Sequence, residues 1–196
     1  MVAVLEAAQR HGFLGPGPVE AHIDHALGLA ALIATPPRAA LDLGSGAGVP
    51  GLVLALYWPA SRWILLDASA RRTALLTQAV SALRLADRVD VLCARAEDAG
   101  RDPGLRGSCD LVTARSFGPP AVTAECAAPF LRVGGVVAVT EPPGNEPRWP
   151  IEGLAVLGLT LGPRSESPHV QQLIATAQCP DRYPRRVGMP AKRPLF

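Results

Sequence analysis

From residue 38 onward the chain alternates short apolar runs with longer stretches whose apolar residues recur every three or four positions. The short runs Ala39–Leu43, Arg62–Asp67, Val89–Cys93, Cys109–Ala114 and Val136–Thr140 predict strands. The intervening segments Pro50–Tyr57, Ser69–Leu85 and Pro119–Leu131 predict helices. Strands alternating with helices predict an α/β fold, a Rossmann-like, doubly wound and mostly parallel sheet that takes its ligands at the carboxyl ends of the strands. Before this core, residues 2–10 and 19–34 read as helices, parted by Gly15-Pro16-Gly17-Pro18. The second carries a stripe of Val19, Ile23, Ala26, Leu27 and Ala30. After Pro150 two further strands are expected, Leu154–Leu161 and His169–Gln178, as an antiparallel hairpin at the sheet edge. The expected organisation is a helical cap over residues 1–36, a Rossmann-like core over 37–180 and a basic tail over 181–196.

Composition narrows the function. At 196 residues the chain suits one domain, and 48% hydrophobic against 18% charged residues excludes a disordered one. With 5% aromatics, broad base stacking is not available as the main means of holding a single strand. No apolar run reaches the roughly 18 residues of a bilayer span and no secretory leader is read, so a soluble, cytoplasmic, monomeric protein is expected, with no membrane partner. The four cysteines form no C-x-x-C pair. His22 and His25 are three residues apart on one helix but have no third ligand nearby, so no metal site is expected. The net charge of +2 is uneven: residues 181–196 carry a local +4, which makes the tail a candidate arm for phosphates as well as an ordinary solvated terminus.

The strongest local signal is Leu41-Asp42-Leu43-Gly44-Ser45-Gly46-Ala47-Gly48-Val49-Pro50-Gly51, a strand running through a glycine-rich turn into a helix. A phosphate-binding P-loop needs Lys-Ser/Thr after its last glycine, but Leu52-Val53 stands there. Gly46, Gly48 and Gly51 formally satisfy the dinucleotide frame G-x-G-x-x-G, but that turn would begin three residues beyond the strand. The frame D-x-G-x-G-x-G, on Asp42, Gly44, Gly46 and Gly48, starts directly on the strand and resembles motif I of class I S-adenosylmethionine methyltransferases. Asp67 ends the next strand, 23 residues after Gly44, where an acid can accept from ribose hydroxyls or merely cap the following helix. Arg95-Ala96-Glu97 and Ala114-Arg115-Ser116-Phe117 end the third and fourth strands. Arg115, closing a buried strand, must reach solvent or pair with an acid or a ligand.

Taken together these segments resemble the bacterial small-subunit (16S) ribosomal RNA guanine-N7 methyltransferases, the RsmG or GidB family. The resemblance rests on the loop with its trailing Pro50-Gly51, on Leu65-Leu66-Asp67-Ala68-Ser69-Ala70-Arg71-Arg72, on the two strand ends above, and on the terminal Tyr183-Pro184-Arg185-Arg186-Val187-Gly188-Met189-Pro190-Ala191-Lys192-Arg193-Pro194-Leu195. It implies an S-adenosyl-L-methionine pocket lined by Gly44, Val49, Ala96, Glu97 and Arg115, to which the loop reading adds Ser45, Gly46, Gly48 and Asp67. It also implies that Arg115 sits beside cofactor and target base, and that Arg185, Arg186 and Lys192 contact phosphates of ribosomal RNA or the small ribosomal subunit.

The chain departs from the family at the fifth strand end, where Thr140-Glu141-Pro142 replaces Leu-Lys-Gly; an acid on an RNA face reverses the sign of a phosphate contact. His25 stands where the family carries an acid, and the family's W-N-x-x-x-N-L-T stretch is absent from the N-terminal region. Two other readings therefore stand beside rRNA methylation: N-methylation of a small heterocycle on the same scaffold, and a non-catalytic binding module. No (N/D)-P-P-(Y/F) follows the fourth strand, which disfavours exocyclic amine methylation, and no Pro-Cys pair supplies a nucleophile for pyrimidine C5.

Overall fold

The computed structural model describes residues 1–144 and 146–196. Two helices, α1 (Val2–Arg10) and α2 (Val19–Ala31), precede β1 (Ala39–Leu43), α3 (Gly51–Tyr57), β2 (Arg62–Asp67), α4 (Ala70–Ala82) and β3 (Val89–Cys93). There follow α5 (Ala96–Ala99), β4 (Cys109–Arg115), α6 (Pro120–Ala127) with a 3-10 turn over Ala128–Phe130, and β5 (Leu131–Thr140). The chain closes with α7 (Ile151–Ala155), β6 (Leu159–Glu166), β7 (His169–Ala175) and α8 (Met189–Lys192). One seven-stranded sheet has the order β3-β2-β1-β4-β5-β7-β6. All its pairings are parallel except β5–β7 and β6–β7, so the expected edge hairpin exists, with its last strand inserted beside β5. The order reverses between β1 and β4, which puts the topological switch directly beside the glycine loop.

Alternation along the strands builds two cores. Leu41, Leu43, Val112, Ala114 and Val137 pack against α6 on one face, while Ala40, Trp63, Leu65 and Leu111 meet the side chains of α2, α3 and α4 on the other. Trp63 and Phe130 are the largest fully buried side chains, each stabilising by roughly 1.5–3 kcal/mol through the apolar area it removes from water. The stripe of α2 differs from expectation: Leu27 is exposed and Leu29 fully buried, so the face runs Val19, Ala26, Leu29, Ala30.

The segment 154–158, expected as strand, belongs instead to the end of α7 and the turn after it. A short apolar run reads equally as strand or helix, and here the extended Pro150 starts a helix, which Gly158 closes with a positive φ of 76°. A Cβ at Gly158 would lie 2.6 Å from the Ala177 carbonyl oxygen, so the turn and the segment just after β7 meet backbone to backbone. No helix among the described residues is long and apolar enough to cross a membrane.

The tail departs further from its expected character. Tyr183 and Pro190 are buried, and α8 packs against α6. Arg106 donates to the Tyr183 and Cys179 carbonyls at 2.7 and 2.8 Å. Residues 181–196 are therefore a folded strap across the core rather than a solvated arm.

Candidate active site

The site grows from Asp42. Alternation on β1 points this carboxylate into the apolar layer under α3, where it is 1% exposed. Its Oδ1 accepts from Thr113 Oγ1 at 2.7 Å, which ties β1 to β4, and its Oδ2 accepts from the Gly51 amide at 3.1 Å, which ties β1 to the start of α3. Between these anchors the glycine turn is braced by Ser45 N donating to the Leu66 carbonyl (2.9 Å) and Gly48 N donating to the Ser45 carbonyl (2.7 Å). Gly44 adopts φ +69°, and a Cβ there would stand 2.7 Å from Phe117 Cδ2; the loop and the β4 end close against each other at this point because no side chain intervenes.

Burial pushes the Asp42 carboxyl up to about 6, against the hydrogen bonds from Thr113, Ser45 and Gly51, which favour the charged form. The folded state therefore holds a proton more tightly than the unfolded chain. The stability this group contributes is complete below about pH 4 and is lost as pH rises through about 6. Keeping the charge buried at pH 7 costs about 3 kcal/mol. Asp42→Asn, whose amide oxygen can still accept from Gly51, is expected to be more stable than the native chain at pH 7 and to lose that advantage below pH 4. Urea unfolding at the two pH values checks this; a variant less stable at both refutes it.

Two hollows flank Gly44. The larger, a cavity of about 310 Å³, is lined by Asp67, Ala96, Glu97, Phe117 and, from the terminal strap, Ala191 and Pro194. The smaller, about 250 Å³, is lined by Gly44, Ser45, Gly46, Val49, Arg115 and the N-terminal Phe13 among others. Of the expected cofactor residues, only Gly48 lines neither, its positive φ serving the turn itself. Asp67, 5% exposed, accepts from Gly46 N at 2.9 Å and Ser69 N at 2.8 Å, with the Arg72 guanidinium 3.6 Å away. Asp67 thus braces both the glycine turn and the entry to α4, and it lines the larger cavity. Burial alone would raise Glu97, but the Gly188 amide at 2.9 Å and Arg95 hold it below the ordinary glutamate value. Cys126, also on the cavity wall, is kept as a thiol, pushed up to about 12 by burial.

Arg115 ends β4 and reaches α2, where its Nη2 lies 2.7 Å from His22 Nδ1. Its Nη1, together with His22 Nε2 and His25 Nδ1, is buried without a partner among the described residues. Burial lowers the Arg115 pKa, opposed by Asp42. Burial and then Arg115 lower His25, which keeps that ring neutral. His22 was legible as half of a histidine pair on α2, but nothing in its own neighbourhood announces an arginine 93 residues away. Among the described residues no group of three His, Cys, Asp or Glu is arranged to hold a metal ion.

The phosphate-binding expectation divides. Arg185 is committed inward: its Nε and Nη2 meet Glu125 Oε1 and Oε2 at 2.9 and 2.7 Å, and its backbone amide adds a third bond at 2.8 Å. Glu125 is fully buried on α6, so Arg185 fastens the strap and is not a free phosphate ligand. Arg186 and Lys192 are exposed. Glu141 also differs from its expected setting: it is 6% exposed, with Oε1 accepting from Trp149 Nε1 at 2.8 Å and Arg148 Nη1 at 3.2 Å.

This sheet order, with the glycine loop at the switch point and an acid on β2, defines a class I methyltransferase, the class that takes S-adenosylmethionine as cofactor. The fold is shared at 16–17% identity by the cofactor-bound protein Rv0187 from MTB (TM-score 0.60, covering 90% of this chain and 89% of that one) and by an O-methyltransferase family protein from Burkholderia thailandensis (TM-score 0.59, 81% and 56%). Residues 16–141 match the rRNA small subunit methyltransferase G family, and the chain belongs to it. It is 36% identical over 185 residues to the ribosomal RNA small subunit methyltransferase G of Moorella thermoacetica, covering 89% of this chain and 77% of that protein. It is 38% identical over 169 residues to the one from Prochlorococcus marinus, with coverages of 81% and 68%. The cofactor fits the residues present: a glycine loop whose Gly44 lines both hollows and has no room for a Cβ against Phe117, and a buried acid on the wall of a nucleoside-sized hollow.

Proposed function

We propose that this protein methylates N7 of a guanine in small-subunit (16S) ribosomal RNA, using S-adenosyl-L-methionine. Asp67, Ala96 and Glu97 hold the nucleoside end, and Gly44, Ser45, Gly46 and Val49 the other. Arg115, shared between the smaller hollow and a further cavity at the ends of β4 and β5, sits between cofactor and base. When bound, the cofactor supplies an electrophilic methyl group: the N7 lone pair forms the new C–N bond while the C–S pair stays on sulfur, giving cationic 7-methylguanine and no displaced proton. The protein's part is alignment and exclusion of water.

The observation that carries this reading is the chemistry of the acceptor cavity. Among the described residues it is lined by Arg115, Phe117, Thr140, Glu141 and Trp149, with no cysteine or histidine, and its one acid already accepts from two donors. Such a site suits an acceptor atom that brings its own lone pair. Arg186 and Lys192 supply exposed positive charge for the RNA backbone.

The test incubates the protein with labelled S-adenosylmethionine and small ribosomal subunits from a strain lacking its own N7 enzyme, then maps the modified base. Label recovered as 7-methylguanine supports the proposal. Cofactor binding without label in any RNA overturns it in favour of a small heterocycle. Within the cofactor site, Asp67→Asn loses one charged acceptor and is expected to weaken S-adenosylmethionine about ten- to a hundredfold, measured by titration calorimetry. Unchanged affinity would show that Asp67 serves only the turn.

A further inference from the structure

The acceptor cavity holds about 330 Å³, within the range of small-ligand sites, and its polar groups are laid out in a definite order. Neighbouring strands β1, β4 and β5 end side by side, roughly 5 Å apart, with Gly44 at the first, Arg115 at the second and Thr140-Glu141 at the third. Arg115 and Thr140 pair across the sheet register, and each leaves a buried polar atom, Nη1 and Oγ1, without a partner among the described residues. Next comes an acceptor: Glu141, its side chain 3% exposed. Its backbone amide donates to the His169 carbonyl at 2.9 Å, which fixes the residue to the start of β7. Trp149 and Arg148 occupy Oε1, while Arg164 Nε stands 3.8 Å from Oε2, beyond hydrogen-bond length.

A guanine presents the complementary series along one edge: N7, then the O6 acceptor, then the N1–H and N2–H donors. With N7 directed toward Gly44, O6 falls to the unpartnered donors of Arg115 and Thr140, and the N1–H and N2–H face falls to Glu141 Oε2. Resting on the rRNA reading above, we propose that Glu141 is the specificity residue of this enzyme, accepting from the Watson–Crick edge of the extruded target guanine. Adenine turns a bare N1 lone pair toward the same carboxylate and is rejected. The carboxylate also faces a base that becomes cationic as it is methylated, so its attraction grows toward product. Trp149 and Arg148 hold Oε1, while Oε2, with the Arg164 guanidinium beside it, accepts no hydrogen bond among the described residues. Extruded bases are read elsewhere by this combination of edge hydrogen bonds and aromatic walls, here Phe117 and Trp149.

The test uses small subunits whose RNA, joined from two pieces, carries either guanosine or a single inosine at the mapped position. Inosine keeps N7 and O6 and lacks only the N2 amino group. In the native enzyme kcat/KM is expected to fall about ten- to a hundredfold for inosine. Glu141→Gln is expected to slow guanosine by a similar factor and to bring the guanosine-to-inosine ratio close to one. Arg164→Gln disturbs the same cluster without removing the acceptor and should keep the native ratio, which separates base reading from loop bracing. A native ratio near one, or an undiminished ratio in Glu141→Gln, overturns the assignment while leaving methyl transfer intact. No transfer to the guanosine RNA by the native enzyme overturns the rRNA reading, and this assignment with it.

Discussion

Arg185→Ala is expected to destabilise the protein by about 3–5 kcal/mol and to weaken S-adenosylmethionine binding, although Arg185 touches neither hollow. The reason is Glu125. It is 0% exposed and receives both Nε and Nη2 of Arg185, whose pKa is raised by that pairing. Removing the guanidinium strands a carboxylate in the apolar layer of α6, a much larger penalty than losing an exposed ion pair. Arg185 Nη2 also donates to the Arg193 carbonyl at 2.7 Å, so one side chain ties the strap to α6 and to its own far end. With the strap loosened, Ala191, Pro194 and the Gly188–Glu97 bond leave the wall of the larger hollow beside Gly44, the one proposed to hold the cofactor. Urea unfolding and cofactor titration on the same preparation read both effects. Adding Glu125→Gln to the variant should recover a large part of the stability, because no charge then remains buried; failure to recover would locate the damage elsewhere.

Gly51→Ala is expected to be nearly as damaging. An added Cβ would meet Asp42 Oδ2 and Leu65 Cδ2 at 2.6 Å and Asp42 Cβ at 2.7 Å, three contacts from two buried residues that have no room to retreat. The first of these also displaces the carboxylate that accepts from the Gly51 amide, so overpacking and loss of a buried hydrogen bond act together. A loss of about 3 kcal/mol or more follows, with the glycine turn displaced and cofactor affinity falling with it. Thermal unfolding with and without S-adenosylmethionine measures this: the native chain should gain stability from the ligand, and the variant little or none. A fully stable variant that still binds the cofactor would mean that α3 can shift outward freely.

That collision explains why the Pro50-Gly51 pair is a sharper mark than the glycines before it. Gly46 and Gly48 serve the turn, a local need that many loops share. Gly51 answers a tertiary demand, the contact of a helix start with an acid buried on β1. The pair was legible as a motif, but its cause was not, because Leu65 and Asp42 come together only through the parallel register of β1 and β2, where Asp42 stands opposite Leu65. Arg115 was legible in the same partial way. A charged residue closing a buried strand required a partner, and the strand read as ending at Ala114 in fact includes Arg115, but the partner is His22, carried there by the packing of α2.

The misreadings have one common origin. Glu141 was read as an acid set against phosphates and Arg185 as a base extended toward them, since charge counted along a chain says nothing of direction. In the folded protein Glu141 turns inward to Trp149, and Arg185 turns inward to Glu125. The segment at Leu154 failed for a related reason: five apolar-rich residues satisfy either period until the neighbouring elements choose between them.

By itself, then, the sequence determined the alternation of strands and helices, the switch-point loop and the acid that follows it. All of these rest on local periods and local turn chemistry within some 30 residues. Only the tertiary structure decided that the terminal residues wall the larger hollow beside Gly44, that His22 meets Arg115 and that a buried carboxylate lines the cavity at the ends of β4 and β5. Those facts join positions 60 to 93 residues apart, or depend on which way a single side chain turns, and both are set by packing, which no local pattern records.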